Sequence, residues 1–356
     1  MPILDHEKIY SISKTMLSAK GATINNADIV ARHLSNANLV GHDSHGLIRI
    51  PQYFNDIETG RLDPKASPEI TSDNGSTVQV NGNDSFGQVV ASFSTQLAID
   101  KAKKHGVSVI GMGNLGHTGR IGTYTEIVAD AGMVGMMFTG FVGGNVGNNV
   151  APFGGSARRL GTNPLSMAFP YKKNCPILID FATSISAEGK LRVYKARNKK
   201  LPDNWVIDKN GTPTDDPNAY YEGGAILPIG GTIGGHKGFG LSMMVSLMGA
   251  VLGSIGLTSA DNKATVDKVG SSILVINLNS ISSIDDFSQE VSAIVNYVKD
   301  TPKMEGVNEI LFPGEIEFNT RSHRITHGVE IEDATWGAIS KLAKNFNIDI
   351  NDMKTQ

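Results

Sequence analysis

The stretch GMGNLG, residues 111–116, follows the apolar run GVSVI and decides between two classes of fold. A G-x-G-x-x-G triplet that follows a strand is the fingerprint of a Rossmann unit, where it approaches the pyrophosphate of a dinucleotide. Such a unit ends its second strand, about 20 residues further on, with an acidic residue that binds the adenosine ribose. The acidic residue at that distance, Asp130, belongs to a predicted helix, and the strand that follows ends in Thr139 and Gly140. Because the fingerprint lacks this context, we interpret GMGNLG as a turn and predict a fold of another kind.

The composition is that of an ordinary globular protein and argues against several classes of partner. Of 356 residues, 40% are hydrophobic and 19% are charged, and a net charge of -3 offers no basic surface for nucleic acid or for a membrane. No apolar run reaches the ~20 residues that a transmembrane helix needs. The single cysteine, Cys175, excludes an internal disulfide, and the first residues, MPILDHEKIY, lack the apolar core of a secretory signal. We therefore expect a cytoplasmic protein without nucleic-acid or membrane partners.

Helical and strand-like patterns alternate along the chain, with the strands concentrated in the middle. Apolar residues recur at helical spacing through the first 40 residues, and two polar helices are predicted at the C-terminus. Between residues 106 and 180, the segments GVSVIGM, MVGMMFTG, NPLSMAFP and PILIDFA are typical of strands separated by glycine loops. This order favours the α/β class, of the mixed α+β kind, with a central sheet.

The stretch GHDSHG, residues 41–46, concentrates chemically active side chains, and Arg49 follows it closely. One interpretation is a metal site on His42 and His45, although zinc normally takes three or four protein ligands. A second is acid/base chemistry, in which His45 exchanges a proton with the assistance of Ser44 and Arg49 binds a carboxylate through two hydrogen bonds. A third is structural, a helix end whose carbonyl groups lie next to a histidine. A serine hydrolase is disfavoured because the pattern is not G-x-S-x-G.

Two further positions are candidates for the same site. His117 directly follows GMGNLG, and a histidine beside a glycine turn at a strand end is well placed to face a ligand. The alternative is a loop histidine that is hydrogen-bonded to the backbone. Asp180 ends the apolar strand ILID, where a carboxylate is costly unless it is paired. We expect it to have a polar partner such as a histidine, because an aspartate acceptor fixes the tautomer of an imidazole and stabilises the imidazolium.

The stretch GGHKGFG, residues 234–240, precedes a long apolar helix that we predict to begin near Gly238. His236 and Lys237 would then lie at a helix N-terminus, where free N–H groups, the helix dipole and the lysine together bind an anion such as a phosphate. A capping turn with a surface lysine is the alternative.

Seven motifs occur together in an order typical of one family. They are GHDSHGLIRIPQY, GHTGRIGTYTEIVADAG, VAPFGG, GTNPLSMAFP, IDFATS, GGHKGFGLSMMV and LFPGE, and they span most of the chain. With these motifs the chain resembles the type-2 malate/L-lactate dehydrogenase family, which also includes ureidoglycolate dehydrogenase, sulfolactate dehydrogenase and cyclic imine reductases. The segments HTGRIG, GKLRVYKAR and LFPGEIEFNTR are most similar to the hydroxycarboxylate dehydrogenases of that family.

The resemblance implies a fold and a set of site residues. The fold would be a non-Rossmann NAD(P)-binding sheet of the L-sulfolactate dehydrogenase-like type, with helical N- and C-terminal parts, in a homodimer with composite active sites. His45 would be the acid/base with Ser44 and Asp180 as relay partners, while His117 is the proton acceptor assigned in some relatives. Arg49 would hold the substrate carboxylate. The cofactor-binding residues would be Gly119, Arg120, Ile121, Asp180, Phe181, Ala182, Lys237, Pro313, Gly314 and Glu315.

The same resemblance implies two domains. Residues 1–77 together with 316–356 would form a mainly helical domain that carries Ser44, His45 and Arg49. Residues 78–315 would form the central NAD(P)-binding catalytic domain. The loop GFVGGNVGNNVAPFGG, residues 140–155, would lie near the cofactor, and it is longer and richer in glycine than the corresponding loop of many relatives.

The leading functional hypothesis is an NAD- or NADP-dependent oxidoreductase that interconverts a 2-oxo acid and a 2-hydroxy acid, with a small-molecule carboxylate as substrate. Three alternatives stay open. The first is an NAD(P)H-dependent reductase of cyclic imine carboxylates, in which the same acid protonates nitrogen. The second is a metal-dependent hydrolase that uses GHDSHG, and the third is a nucleotide-binding protein without catalytic activity. No metal ligand set is expected under the leading hypothesis.

Overall fold

The computed structural model describes residues 1–140, 148–253, 269–281 and 283–350. Within the glycine-rich loop, residues 141–147 lie outside the described residues, as do residues 351–356 of the expected helical domain. None of the described helices combines the length and the hydropathy that crossing a membrane would require.

The described residues form helices at both ends of the chain and strands mainly in its middle. The helices are α1 His6–Ala19, α2 Ile24–Leu39, α3 Ile50–Glu58, α4 Gly87–His105, α5 Gly122–Asp130, α6 Glu188–Ala196, α7 Pro217–Tyr221, α8 Gly231–Ser246, α9 Ile284–Lys299, α10 Glu315–His327 and α11 Asp333–Asn345. The strands are β1 Ile3–Leu4, β2 Glu69–Asp73, β3 Thr77–Ser85, β4 Val107–Leu115, β5 Met133–Gly140, β6 Pro164–Lys172, β7 Cys175–Ala182, β8 Val206–Ile207, β9 Pro213–Thr214, β10 Ala225–Ile226, β11 Val269–Asn277 and β12 Val329–Glu330. The predicted mixed α/β class is confirmed.

The central sheet has seven strands in the order β2-β3-β4-β11-β5-β6-β7. Strands β3 and β4 are parallel and are joined by the crossover helix α4, whereas the other neighbouring pairs are antiparallel. Strand β11 comes from late in the chain and lies between β4 and β5, so β4 and β5 do not form the parallel β-α-β unit of a dinucleotide fingerprint. The prediction of a sheet that is not of the Rossmann type is therefore confirmed.

The strand predicted from GVSVIGM is confirmed, and it continues through residues 113–115, where the interpretation of GMGNLG as a turn is wrong. Residues 111–115 belong to β4, and the turn begins at Gly116 and leads to α5 at Gly122. Alternate residues of β4 face opposite sides of the sheet, so Ile110 and Met112 pack into the core under α4 while Gly111 faces the other side. A Cβ atom on Gly111 would lie 2.1 Å from the carbonyl oxygen of Leu252. The glycine permits a close approach of protein backbone to the sheet, which the triplet alone could not reveal.

The start of α8 also differs from the prediction. The helix begins at Gly231, after Gly230 in the left-handed conformation, so His236 and Lys237 lie in its second turn and not at its N-terminus. The glycines of this segment are poor helix formers, which made the sequence resemble a loop. Packing requires the glycine at position 238, because a Cβ atom there would lie 2.2 Å from the carbonyl oxygen of Ile229. The predicted phosphate site on the free N–H groups next to Lys237 is therefore wrong.

The buried apolar residues form separate clusters. One cluster joins both ends of the chain, since Ile12 and Leu34 pack together with Val329 and Ile339. It continues past residue 77 to Phe86 at the start of α4. A second cluster fills the space between the sheet, α4 and α5, and a third surrounds the small sheet β10-β8-β9. The division of the chain into two domains stays a prediction.

The turn of residues 116–121 is held by a buried histidine. The backbone N–H of Arg120 donates to Nε2 of His33 at 2.9 Å, and the Tyr124 hydroxyl lies 3.4 Å from Nδ1 of the same ring. Gly119 has φ +74°, and a Cβ atom there would lie 2.1 Å from His33 Nε2, so the close approach requires glycine. Burial, followed by the positive charge of Arg120, lowers the pKa of His33 to about 3. The ring is therefore a neutral acceptor at pH 7.

This assignment predicts an acid-sensitive fold. The pKa of His33 is lower in the folded chain than the value of about 6.5 expected after unfolding. The contribution of the neutral ring to the free energy of unfolding is therefore complete above about pH 6.5 and is lost as the pH falls below that value. The variant His33→Gln keeps an acceptor but does not titrate. Between pH 8 and pH 5 the free energy of unfolding of the wild type should fall by about 2 kcal/mol more than that of the variant. Urea unfolding of both proteins at each pH measures the difference, and parallel declines would contradict the role of His33.

Candidate active site

One cavity of about 700 Å³ brings most of the candidate residues together. It is lined by the loop that contains GHDSHG, the turn after β4, the end of β7 and the start of α6. Among its lining residues are Ser44, His45, Arg49, His117, Gly119, Arg120, Ile121, Asp180, Phe181 and Ala182. Its volume lies in the range of sites for small molecules and cofactors, roughly 300–1,000 Å³.

The segment that carries GHDSHG folds into two short 3-10 turns, Asp43–His45 and Leu47–Arg49. Asn38, near the end of α2, holds both turns, since its Oδ1 accepts from Leu47 N–H at 2.8 Å and its Nδ2 donates to Asp43 at 2.7 Å. Arg324 from α10 pairs with the carboxylate of Asp43 at 2.7 and 3.0 Å. The position of the segment therefore depends on both ends of the chain.

Within this segment, Ser44, His45 and Arg49 form one hydrogen-bonded group. The hydroxyl oxygen of Ser44 lies 3.0 Å from His45 Nδ1, which is the contact expected for an assisting serine. Arg49 Nε donates to the carbonyl oxygen of Ser44 at 2.6 Å, and its Nη1 donates to Gln52 at 2.7 Å. Burial lowers the pKa of Arg49. Among the described residues no carboxylate lies within ion-pair distance of Arg49, so its charge is available to an anionic ligand.

The two candidate histidines lie side by side. The rings of His45 and His117 stack with their centroids 5.5 Å apart and an angle of 16° between their planes. His117 Nδ1 lies 3.1 Å from the hydroxyl of Tyr53. Burial first, and then the positive charge of Arg49, lowers the pKa of each histidine well below 6.5. Both rings are therefore neutral at pH 7 while the cavity holds no anion.

Asp180 lines the cavity but pairs differently from our expectation. Its Oδ2 accepts from Gly122 N–H at 2.8 Å and lies 3.6 Å from Arg120 Nε. Burial raises the pKa of Asp180, and Arg120 opposes that shift. Asp180 therefore has polar partners, as expected, but they are Arg120 and a backbone N–H group, and no described hydrogen bond joins it to Ser44 or to a histidine ring. A buried carboxylate needs a polar or positively charged partner. The sequence pattern of a single strand does not show whether that partner is a histidine or an arginine.

The residues expected to bind a cofactor divide into two groups. Gly119, Arg120, Ile121, Asp180, Phe181 and Ala182 line the cavity, whereas Lys237, Pro313, Gly314 and Glu315 do not. Lys237 is exposed on α8. Glu315 begins α10, where it accepts from Phe312 N–H at 3.0 Å and pairs with Lys299 at 2.6 Å. A role of the second group in cofactor binding stays a prediction.

Sequence reasoning missed one wall of the cavity and two supporting contacts. The start of α6 contributes Glu188, Gly189, Lys190, Val193 and Tyr194 to the lining. The sequence of this helix, GKLRVYKAR, supported only the family resemblance. Tyr53 follows GHDSHG and Arg49 in the sequence, but its contact with His117 and the contact of Gln88 with Tyr53 could not be predicted, because the partners are distant in the chain.

The geometry of the histidines bears on the metal hypothesis. The described part of the chain contains no group of three or more His, Cys, Asp or Glu side chains arranged to hold a metal ion. His42 instead pairs with Glu317 at 3.1 Å, and His45 Nδ1 is engaged by Ser44. The two histidines of GHDSHG therefore have separate partners.

Comparison with known proteins agrees with this architecture. The family model described as malate/L-lactate dehydrogenase matches residues 4–340. Hydroxycarboxylate dehydrogenase B of Escherichia coli strain K12 is 34% identical over 348 residues, which cover 97% of this chain and 94% of that protein. The crystal structure of malate dehydrogenase from Entamoeba histolytica has a TM-score of 0.89 at 28% identity and covers 98% of this chain and 99% of its own.

A solved structure with a different activity in its name is also similar. The delta1-piperideine-2-carboxylate reductase from Pseudomonas syringae pvar. tomato has a TM-score of 0.81 at 26% identity, and the match covers 96% of this chain and all of that one, 100%. A model that matches nearly the whole chain, together with a relative of similar length, establishes the relationship. The chain therefore belongs to the malate/L-lactate dehydrogenase family.

Proposed function

We propose that this protein is an NAD(P)-dependent oxidoreductase that interconverts a 2-oxo acid and a 2-hydroxy acid. The observation that carries the proposal is the grouping of Arg49, His45 and His117 on one cavity wall. Arg49, which has no carboxylate partner among the described residues, binds the substrate carboxylate, and a neighbouring histidine exchanges a proton with the substrate oxygen. Membership of a dehydrogenase family supports the same assignment.

The cavity wall fits a nicotinamide cofactor. Residues 119–121 present a backbone segment that His33 and Asp180 hold in place. Phe181 beside it is 37% exposed, an apolar ring surface that a planar aromatic group would cover. We propose that residues 119–121 and 180–182 hold the cofactor, which, when bound, supplies or accepts the hydride at the substrate C2. Assays with both coenzymes distinguish NAD dependence from NADP dependence.

Arg49 orients the substrate and also changes the proton affinity of the histidines. Its guanidinium can donate to both carboxylate oxygens, which fixes the plane of the carboxylate and the position of C2. The same positive charge lowers the pKa of His45 and His117. A bound carboxylate neutralises this charge, so substrate binding raises both pKa values towards the range in which a proton is exchanged. Binding and proton transfer are thereby coupled through one side chain.

Each histidine has one nitrogen fixed and one free. Nδ1 contacts Ser44 in His45 and Tyr53 in His117, and neither Nε2 has a hydrogen-bond partner among the described residues. In the reductive direction, a protonated ring donates its proton to the substrate oxygen. In the oxidative direction, the neutral ring accepts that proton from the hydroxyl group.

A second candidate is reduction of cyclic imine carboxylates. The same arginine would hold the carboxylate, and the same histidine would protonate the nitrogen that replaces the carbonyl oxygen. The likeness to a piperideine-carboxylate reductase of known structure favours keeping this candidate. It differs from the leading proposal in substrate alone, so one assay compares both.

The first prediction concerns the substrate. Purified protein should oxidise NADH or NADPH, followed by the absorbance of the reduced nicotinamide, with at least one of pyruvate, oxaloacetate and phenylpyruvate, and a cyclic imine carboxylate serves as the comparison. Turnover should persist after treatment with a chelator. His42 pairs with Glu317, and no group of three or more His, Cys, Asp or Glu side chains among the described residues is arranged to hold a metal ion. Absence of oxidation with all substrates and both coenzymes would contradict the proposal. Bound stoichiometric metal together with hydrolysis would favour the hydrolase alternative.

The second prediction concerns Arg49. Replacing it with methionine removes the charge-assisted hydrogen bonds to the carboxylate and should raise the KM for the substrate by roughly 10- to 100-fold. The coenzyme KM should change much less. Arg32→Met is the matched control, since Arg32 pairs with Asp28 on the surface at 2.8 Å. Equal effects of the two substitutions on the substrate KM would contradict the assignment of Arg49.

We also propose that the protein is a homodimer with composite active sites. Helix α8 and the π-helical segment Leu247–Val251 expose a row of apolar side chains, with Ile233 86% and Met244 58% exposed. An exposed apolar surface of this kind is typical of a protein–protein contact. Most such contacts in soluble oligomers join identical chains, so we propose a second copy of this chain as the partner. Lys237 lies four residues after Ile233 on the same face of the helix. Its predicted cofactor role would then be fulfilled across the dimer contact.

The third prediction tests this contact. Wild-type protein should sediment with twice the mass of one chain, and Met244→Glu should sediment as a monomer with reduced turnover, because a charge would be buried in the contact. Tyr297→Glu, on α9 and 82% exposed, is the control that should leave the mass unchanged. A monomeric wild type that turns over fully would overturn the dimer proposal and leave the catalytic one intact.

A further inference from the structure

The last turn of α10 carries two exposed histidines outside the cavity. His323 and His327 are four residues apart, a spacing that places their side chains on the same face of the helix. The two rings stack with their centroids 4.1 Å apart and an angle of 10° between their planes. Neither histidine lines the cavity. The pair is therefore a second cluster of imidazoles, separate from His45 and His117.

The contacts of His327 determine which of its ring nitrogens is available to a ligand. Nδ1 of His327 lies 3.0 Å from the backbone carbonyl oxygen of His323 and 2.8 Å from the hydroxyl oxygen of Thr326. A carbonyl oxygen only accepts, so Nδ1 carries the hydrogen and donates it. The neutral ring then has its lone pair on Nε2. A hydrogen bond from the other ring nitrogen to a carbonyl group is the arrangement that orients histidines as metal ligands.

The ring of His323 is available as the second ligand. Neither of its nitrogens has a hydrogen-bond partner among the described residues, and the side chain is exposed. Because its ring lies directly against that of His327, rotation of the two side chains can direct one nitrogen of each ring to the same ion. Two histidines four residues apart on one helix are also the zinc ligands of the H-E-x-x-H motif.

The end of α10 attracts a cation. The helix ends at His327, with Gly328 as its C-cap, and the C-terminal end of a helix carries a partial negative charge. The two arginines of this helix are both paired, Arg321 with Glu126 at 2.5 Å and Arg324 with Asp43 at 2.7 Å. A cation that approaches the histidines is therefore favoured by the helix dipole, and the neighbouring positive charges are neutralised.

The stability of the helix does not explain the pair. Histidine is a weaker helix former than alanine, lysine or glutamate, and exposed rings bury little apolar area. One protonated histidine in the last turn would stabilise the helix through its dipole. Two protonated rings with centroids 4.1 Å apart would repel each other, which cancels that gain. Two neutral rings that share a bound cation have no such conflict.

We propose that His323 and His327 together bind a divalent transition-metal ion of the class that prefers imidazole, such as Zn²⁺ or Ni²⁺. Each ring supplies one nitrogen, that of His327 being Nε2, and water completes the coordination. Mg²⁺ and Ca²⁺ prefer oxygen ligands and are not expected to bind. The inference does not depend on the proposed function, because the two histidines lie outside the cavity.

A bound ion would restrain the turn of α10 that contacts the segment GHDSHG. Residues 323 and 327 belong to successive turns of the helix, so an ion shared by them holds the last turn in helical conformation. Arg324 lies in the same turn and donates to both oxygens of Asp43. The backbone N–H of Gly328 donates to the carbonyl oxygen of Arg324 at 3.0 Å and reports on the opening of this turn.

The fourth prediction concerns Zn²⁺ binding to the complete, untagged chain. Titration calorimetry at pH 7 should show a Zn²⁺ site that His323→Gln and His327→Gln each weaken by at least the roughly 10-fold that follows loss of an outer-shell partner. Mg²⁺ should give no binding heat. His105→Gln is the matched control, since His105 is also exposed at the end of a helix and has no histidine four residues away. Its Zn²⁺ affinity should equal that of the wild type.

A second measurement tests the location of the ion. Zn²⁺ should raise the Tm of the wild type and slow the hydrogen exchange of the Gly328 amide, and it should do neither in His327→Gln. Absence of Zn²⁺ binding, or equal Zn²⁺ affinity in the wild type and both variants, would overturn the inference. Turnover with a carboxylate substrate should be the same in His323→Gln and the wild type, so the metal site and the proposed function can fail separately.

Discussion

The hydrogen bond from Arg120 N–H to the neutral ring of His33 is the interaction on which the arrangement of the cavity depends. It holds the turn of residues 116–121 against α2, while Asp180 holds the start of α5 from the other side. His117 lies at one end of this turn, and residues 119–121, which line the cavity, lie at the other. A side chain at position 119 would collide with His33, so the close approach requires glycine there. This buried contact is one of those that join the helices at the chain ends to the central sheet.

The electrostatics of the cavity follow from burial and from Arg49, which has no ion-pair partner among the described residues. His33, His45 and His117 are all kept neutral by burial, and Arg49 adds repulsion against protonation of the two catalytic candidates. Asp180 is engaged by Arg120 and by backbone, so it does not neutralise Arg49. Under the proposed function, the carboxylate of the substrate is the partner for this charge.

Several features of the fold and the site were predictable because they depend on neighbouring residues. The order of strands and helices indicated a mixed sheet, and the missing ribose carboxylate excluded a Rossmann unit. The adjacency of Ser44 and His45 predicted their contact, which is present. Glycine was the main source of error in the predicted elements. The same residue occurs in turns, and also in strands or helices where neighbouring backbone approaches too closely for a side chain. Gly113 belongs to a strand and Gly231 begins a helix, while both were predicted to lie in a turn or a loop.

The sequence by itself determined the class of fold, the family resemblance and the residue types that meet at the site, since these depend on composition, spacing and motif order. Tertiary structure alone decided which of these residues are partners. Asp180 pairs with Arg120 and not with a histidine, and Tyr53 approaches His117 across 64 residues of chain. Gln88 reaches Tyr53 because α3 and α4 are packed together, and nothing local to either helix records that contact. Hydrogen-bonding capacity is a property of each side chain, whereas the choice of partner is made by the packing of elements that are distant in the chain.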